Sequence, residues 1–405
     1  MFYAATILVE LSLFGGAGAA MYKRSQLTSA AQDSDRAYLY TAIGLVLGGC
    51  LYTGILCCFW RQMRIAVALI GATADFFAAT KRVILVSVVY FFVTVVIVLF
   101  WVAAAASVSG LNTITASPDV LQGKDIAWTA KTQWMLVFMG VGLIWLVFFI
   151  QDKTAYITMV AASSYYFSSN KDQQGTGEVL MGVKYAYLYN AGALATGSLI
   201  HTIVFIIKVV VDGLADYAQK TDGKNPAVRC IACCAKCCVS CLSEMIDYVN
   251  KGAYAYMAIT GDAYCKSAWD GYLLTLKHTM EFLFANSLAY IFMLLGKFVI
   301  VCLNCLTCWW ILTLQQGSNG SEPGLAGPLV VVGLVTFMAA TIFLSTFDDA
   351  TNATIHCLAF DMELNDGIPQ FGPPSFHERI ANIFPQNKDR KAYGKVHDNE
   401  YNAPP

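Results

Sequence analysis

Seven apolar stretches of about the twenty residues needed to cross a bilayer dominate this chain, at roughly 2–22, 38–60, 83–107, 133–150, 185–211, 283–314 and 328–347. Hydrocarbon offers no water to backbone N–H and C=O groups, so a stretch of this length must close its hydrogen bonds internally, as a helix. With 57% apolar and only 13% charged residues, the chain also lacks the polar surface to cover a soluble globule of its size. The expected fold is all-α: a polytopic transmembrane helix bundle of about eight spans. The eighth crossing is expected from the segment between Asn225 and Cys265. Residues 1–359 would form the helical domain. Residues 360–405, polar and Pro-containing, read as a solvated cytoplasmic tail.

Within that eighth segment Cys230, Cys233, Cys234, Cys237, Cys238 and Cys241 recur at three- and four-residue steps, which places them along one helical face. A row on one helix cannot by itself give zinc its tetrahedral ligand set, and it cannot close disulfides within itself. Cys230 or Cys265 could still pair with a distant residue in an oxidising compartment. Small, polarizable packing residues at a close helix contact are the best account, joined by Cys302, Cys305 and Cys308 on a second helix. No cofactor and no metal site is expected.

A net charge of −1 leaves no basic stripe to neutralise phosphates, which excludes a nucleic-acid partner. No P-loop, HExxH or GxSxG occurs, and the five histidines show no ligand spacing, so an enzymatic role has nothing to rest on. Met1 runs into apolar sequence without a basic flank, which reads as a retained span rather than a signal peptide. With the amino terminus inside, Lys and Arg on the inner segments and tail outnumber those outside. The sequon Asn319-Gly-Ser321 then falls in an outer loop as a glycosylation candidate.

Several segments together resemble the choline transporter-like proteins. They are RQMRIAVAL at 61–69, Trp101, Trp145 with the SSYYF end of its helix, GALATGSLIHTIVFIIKVVVD at 192–212, the cysteine row, AYAYMAITGDAYCKSA, LLGKFVIV and DMELNDG at 361–367. The resemblance runs from about Phe59 to Gly367. It implies ten helices in full members, with both termini cytoplasmic and an outer glycosylated loop after the first helix; on that pattern this chain starts at the third helix. It also implies transport of choline, or in some members ethanolamine, either facilitative or proton-linked. The plasma membrane is the expected location, with mitochondrial or other organelle membranes as alternatives.

A quaternary ammonium has no hydrogen-bond donor, so aromatic faces are the natural way to hold it. Trp101, Trp145, Tyr165, Tyr166, Tyr254 and Tyr256 are the candidate faces, against a membrane-interface belt as the plainer explanation. Lys208 and Asp212, four residues apart, can pair on one helix face, which lowers the cost of either charge in lipid and suits gating of the path or proton coupling, against a structural ion pair as the plainer explanation. Gln151, Asp152 and Lys153 interrupt a long helix from about Trp134 to Phe167 and read as a functional-site hypothesis, a membrane edge or a contact with another subunit; Asp348, Asp349, Asn352 and His356 read as a cytoplasmic helix end. The expected partners are a small cation such as choline, the lipid bilayer and other membrane subunits. The expected function is choline transport; the alternative is a non-transporting subunit with a structural role in a larger membrane assembly.

Overall fold

The computed structural model describes residues 2–25, 32–116, 124–222, 226–319 and 326–381. Helices α1 (Phe2–Ser25) and α2 (Gln32–Cys58) pair with each other. Gly49 makes that pairing close, since a Cβ there would stand 2.9 Å from the Phe14 ring. Helix α3 (Trp60–Ala79) turns through Thr80 and Lys81 into α4 (Arg82–Ser109). Two four-residue strands, β1 (Thr113–Ala116) and β2 (Lys124–Ala127), then pair antiparallel with Thr113 opposite Ala127. They lead into α5 (Ala130–Ser168), whose first turn is capped by the Thr129 hydroxyl accepting from the Thr132 N–H. Helix α6 (Val179–Lys184) continues as a π-helical turn over Tyr185–Tyr189 and breaks at Asn190 before α7 (Ala191–Asp222). The chain closes with α8 (Pro226–Thr260), α9 (Tyr264–Lys277), α10 (Thr279–Asn319), α11 (Ala326–Leu364) and α12 (Pro374–Ile380).

Six of these helices, α3, α4, α5, α7, α10 and α11, are long and apolar enough to cross a membrane. The set differs from the sequence expectation at four helices, with α3 added and α1, α2 and α8 outside it. Helix α3 joins it although it lies between two of the expected apolar runs, because Arg61 and Arg64 sit only at its first turns. Helix α8 stays outside it, because Arg229, Lys236, Glu244, Asp247 and Lys251 recur along its length. The first two apolar runs lie in α1 and α2, the second as a shorter apolar piece over Tyr38–Gly54.

Helices α5, α10 and α11 have 39, 41 and 39 residues, which at about 1.5 Å per residue makes them about 60 Å long, twice the hydrocarbon thickness. Their two ends are built differently. One end exposes an apolar shaft, with Phe138 79%, Phe298 67% and Met338 67% accessible. At the other end protein replaces lipid: α5 is buried almost continuously from Tyr156 to Tyr166, and α11 from Thr346 to Ala359. Around these pack the last turns of α8, with Tyr254 and Met257, then α9 and α3. Small residues let the helices approach. A Cβ on Gly182 of α6 would stand 2.8 Å from the Ile157 carbonyl oxygen of α5. The Ser87 and Thr346 hydroxyls join α4 to α11 at 2.5 Å.

Residue 360, where the polar tail was expected to begin, lies within α11. Helix α11 runs on to Leu364, and α12 docks on α3 with Phe376 and Ile380 buried. The few apolar residues of this stretch suffice because the turn before them is fixed by one carboxylate. Asp361, fully buried, accepts from the Tyr166 hydroxyl at 3.2 Å, the backbone N–H groups of Gln370 and Phe371 at 3.0 Å each, and Asn365 Nδ2 at 2.7 Å. Gly367, at φ +82°, gives the left-handed residue that ends α11, and its N–H reaches the Met362 carbonyl at 2.7 Å. Ser375 then donates to Asp75 of α3. The remaining residues, 382–405, lie outside the described residues.

Replacing Asp361 by Ala strands a buried tyrosine hydroxyl and two backbone donors, each costing about 1–3 kcal/mol. Asp361→Ala is therefore expected to lower the melting temperature of the detergent-solubilised protein by several degrees and to expose residues 365–381 to protease. An unchanged melt and an uncut C-terminal segment would show that this carboxylate does not hold the turn.

Candidate cation site

The apolar stretch of α5 ends at Ile150 and that of α11 at Phe347, and immediately beyond both ends the packed half of the molecule gathers charge. From α5 comes Asp152, from α8 Lys251, and from α11 Asp348 and Asp349. The Tyr254 hydroxyl donates to Asp152 Oδ2 at 2.8 Å, and Lys251 Nζ pairs with Asp348 Oδ2 at 2.5 Å. Asp349 is 8% exposed, and among the described residues no hydrogen bond or ion pair reaches its carboxylate. Its charged neighbours are Lys251, Asp348 and Asp152. Three carboxylates thus face one ammonium group. A buried carboxylate without a partner is costly, so the arrangement has unused capacity for a cation.

Helical spacing explains how so many polar groups meet. On α8, Asp247 and Lys251 stand one turn apart, as do Asn250 and Tyr254, giving two neighbouring rows. The first row faces α7 and α11: His201 Nε2 lies 2.8 Å from Asp247 Oδ1, an ion pair when the imidazole is protonated. The second row faces α7 and α9. Asn250 Nδ2 donates to the Gly197 carbonyl at 3.3 Å, and the Tyr264 hydroxyl of α9 donates to Asn250 Oδ1. Gly197 is required here, because a Cβ would overlap the Tyr254 hydroxyl. On α11 the polar row continues from Asn352 to His356, whose Nδ1 lies 2.8 Å from the Asn352 carbonyl while its buried Nε2 has no partner.

The residues singled out from sequence fall mostly elsewhere. Only Tyr254 enters the charge cluster. Trp145 comes near, donating from Nε1 to Ser198 Oγ at 3.2 Å, one turn before His201. Trp101 donates to the Met139 carbonyl at 2.9 Å on the apolar shaft. Tyr165 packs on Phe76 and accepts from Gln174, Tyr166 serves Asp361, and Tyr256 stands against Phe360 at 6.1 Å between centroids. Lys208 and Asp212 are half-buried on successive turns of α7 with no ion pair between them; the pair that forms nearby is Lys236 with Asp216, at 2.5 Å. Asn319 ends α10, and Gly320 and Ser321 of its sequon lie outside the described residues.

The cysteine row is a correction. Cys230, Cys233, Cys234, Cys237, Cys238 and Cys241 are all exposed, so they are not packing residues at a helix contact within this chain. Their face is turned away from α7 because the opposite face, carrying Ala232, Ser243 and Asn250, is the one buried. Cys305 instead packs on α11, 3.6 Å from where a Gly333 Cβ would stand. Asp348 and Asp349, read from sequence as a cytoplasmic helix end, are the second correction, since α11 continues past them to Leu364, and with Asp152 of α5 they lie where helices pack. The signal that could have found them is the run of small residues beside each charge, Gly252 and Ala253 on α8 and Ala350 and Ala353 on α11, which marks close helix packing rather than a solvated edge.

A model of the family described as plasma-membrane choline transporter matches residues 43–363. The chain belongs to that family. Choline transporter-like protein 1 of Mus musculus is 27% identical over 403 residues, covering 96% of this chain and 59% of that protein. Choline transporter-like protein 3 of Bos taurus is 28% identical over 227 residues, 56% of this chain and 34% of that protein. Choline transporter-like 2 of Drosophila melanogaster is 27% identical over 243 residues, 59% of this chain and 30% of that protein. The chain therefore spans three fifths or less of the length of these relatives. Family membership and the six apolar helices make it an integral, multi-pass membrane protein.

Tyr254→Phe removes the hydroxyl that Asp152 accepts and is expected to cost about 1–3 kcal/mol. Gly197→Ala breaks the same bond by displacing that hydroxyl. The two changes together are then expected to cost less than the sum of the single changes in unfolding experiments. Simple additivity would show that Gly197 and Tyr254 are not coupled.

Proposed function

We propose that this protein carries choline, or a related small cation such as ethanolamine, across the plasma membrane, with Asp349 as the charge that receives the ammonium group. The observation that carries this reading is a buried carboxylate that, among the described residues, accepts no hydrogen bond and has Lys251 as its cationic neighbour, at a junction of three helices in a chain of the choline transporter family. Lys251 engages Asp348 and Tyr254 engages Asp152, so two of the three acids are hydrogen-bonded, while among the described residues the third shares Lys251 only as a charged neighbour. The Tyr254 and Tyr264 rings, 5.9 Å apart between centroids, supply aromatic surface near Asp152, of the kind that attracts a quaternary ammonium. Trp145, at the Ser198 turn of α7, is assigned to the path next to this centre. Lys208 and Asp212 are assigned to its approach from the far end of α7.

Transport is facilitative or linked to protons, and these differ in one readout. With equal cation on both sides, a pH gradient drives net uptake into proteoliposomes only in the exchanger. His201 beside Asp247 is the pair assigned to that coupling. A second reading, a non-transporting subunit of a larger assembly, is favoured by the exposed cysteine face of α8. It predicts no flux and a stable complex on purification.

Asp349→Asn keeps the size of the side chain and removes its charge. In proteoliposomes the saturable uptake of radiolabelled choline is expected to fall at least about tenfold, the cost of losing a close charge partner, with the melting temperature kept or raised. Uptake equal to wild type would remove Asp349 from the mechanism.

A further inference from the structure

On the side of α5 facing α4 and the π-helical turn, Lys153 holds its ammonium group over two aromatic rings. The Nζ atom stands 4.2 Å from the Phe149 centroid and 4.1 Å from the Tyr187 centroid. Among the described residues no carboxylate, carbonyl or hydroxyl pairs with it. Both distances lie within the roughly 6 Å over which a ring face attracts a cation. A lysine ammonium has three N–H donors and is strongly hydrated, and two ring faces satisfy none of those donors. A trimethylammonium head has no donors to satisfy. The surroundings of Lys153 Nζ therefore suit a quaternary ammonium better than the group that occupies them.

The rings are held in place independently of Lys153. Phe149 lies one turn before it on α5. Tyr187 is the middle residue of the π-helical turn over Tyr185–Tyr189, a geometry found often at functional sites. That turn is closed by the Asn190 N–H to the Tyr185 carbonyl at 2.8 Å, and Asn190 Nδ2 ties it to the Tyr156 hydroxyl of α5 at 2.7 Å. The Tyr90 hydroxyl of α4 donates to the Tyr187 hydroxyl at 2.8 Å. Tyr187 is 49% exposed, so the pair of rings is open to a ligand from outside, and the four-carbon stem of Lys153 is flexible enough to swing clear. Asp152, the preceding residue, reaches Tyr254 instead, so neighbouring side chains on α5 serve two separate places.

We propose that Phe149 and Tyr187 form a second site for a quaternary ammonium head, positioned by Tyr90, and that the Lys153 ammonium fills it in this structure as a displaceable internal competitor. The head comes either from free choline or from the choline headgroup of a phospholipid. The site is separate from Asp349 and is tested by binding rather than flux, in an Asp349→Asn background that removes the charge of the first site. A failure of the transport reading therefore leaves this inference standing, and the reverse also holds.

The protein is placed in nanodiscs of phosphatidylglycerol and phosphatidylethanolamine, free of choline lipid, and titrated with tetramethylammonium by calorimetry. Lys153→Met is expected to tighten binding about tenfold, the order expected for two vacated ring faces. Lys153→Arg, which keeps an internal cation, leaves affinity as before. Adding Tyr187→Leu or Phe149→Leu to Lys153→Met abolishes the gain. In phosphatidylcholine nanodiscs the gain disappears if the headgroup is the ligand and persists if the free cation is, and both results uphold the site. No gain from Lys153→Met in choline-free discs, or a gain that survives both ring substitutions, overturns it.

Discussion

Buried charge that the fold itself leaves unbalanced is the constraint around which this molecule is arranged. Asp152, Asp348 and Asp349 meet a single Lys251 at the junction of α5, α8 and α11. Such groups are expensive to remove from water and are kept only where geometry offers partners. The geometry here comes from helix length. Because α5, α10 and α11 are each about twice as long as hydrocarbon is thick, half of each helix can be coated by lipid while the other half is coated by protein. The acids begin where the first half ends, which is where α3, α8, α9 and α12 close in.

The coating depends on small residues and on one polar knot. Gly182, Gly197 and Gly252 bring helices near enough that a methyl group would touch the neighbour's backbone or side chain. Asp361 gathers four hydrogen bonds, one of them from Tyr166 of α5, and thereby folds the chain after α11 back towards α3. The charge cluster and this knot share α5 and α11, so the helices that hold the acids are also the ones the C-terminal turn secures. The same two helices carry the link from α4 through Ser87 and Thr346.

The fold class was legible in the sequence because lipid imposes a simple pattern: an apolar run of span length must be a helix. Family membership was legible through the cysteine row and its flanks, even though the row turned out to be exposed. Span assignment was less legible. Helix α3 has span length yet is half-buried by protein, and α8 carries charges along a helix of 35 residues. The candidate site was read poorly, since hydropathy treats a charge at the end of an apolar run as the start of a loop. Asp152 and Asp349 satisfy that description while being enclosed by helices from far along the chain. Tyr254, a candidate aromatic face for a cation, lies in the charge cluster, whereas Trp101, Tyr165 and Tyr166 have hydrogen-bond partners elsewhere. Nothing local in the sequence distinguishes these cases, because the partners lie from 9 to 195 positions away.

The account stands on an electrostatic claim, that a buried carboxylate with no hydrogen bond among the described residues receives a further positive charge. It is tested most directly by competing radiolabelled choline on the purified protein with choline's uncharged carbon isostere, in which a tert-butyl group replaces the trimethylammonium head at nearly the same shape. The account predicts that tetramethylammonium displaces choline from the wild type and that the neutral isostere does not. Equal displacement by both compounds would mean that shape and apolar surface do the recognition, and it would contradict the role given to Asp349.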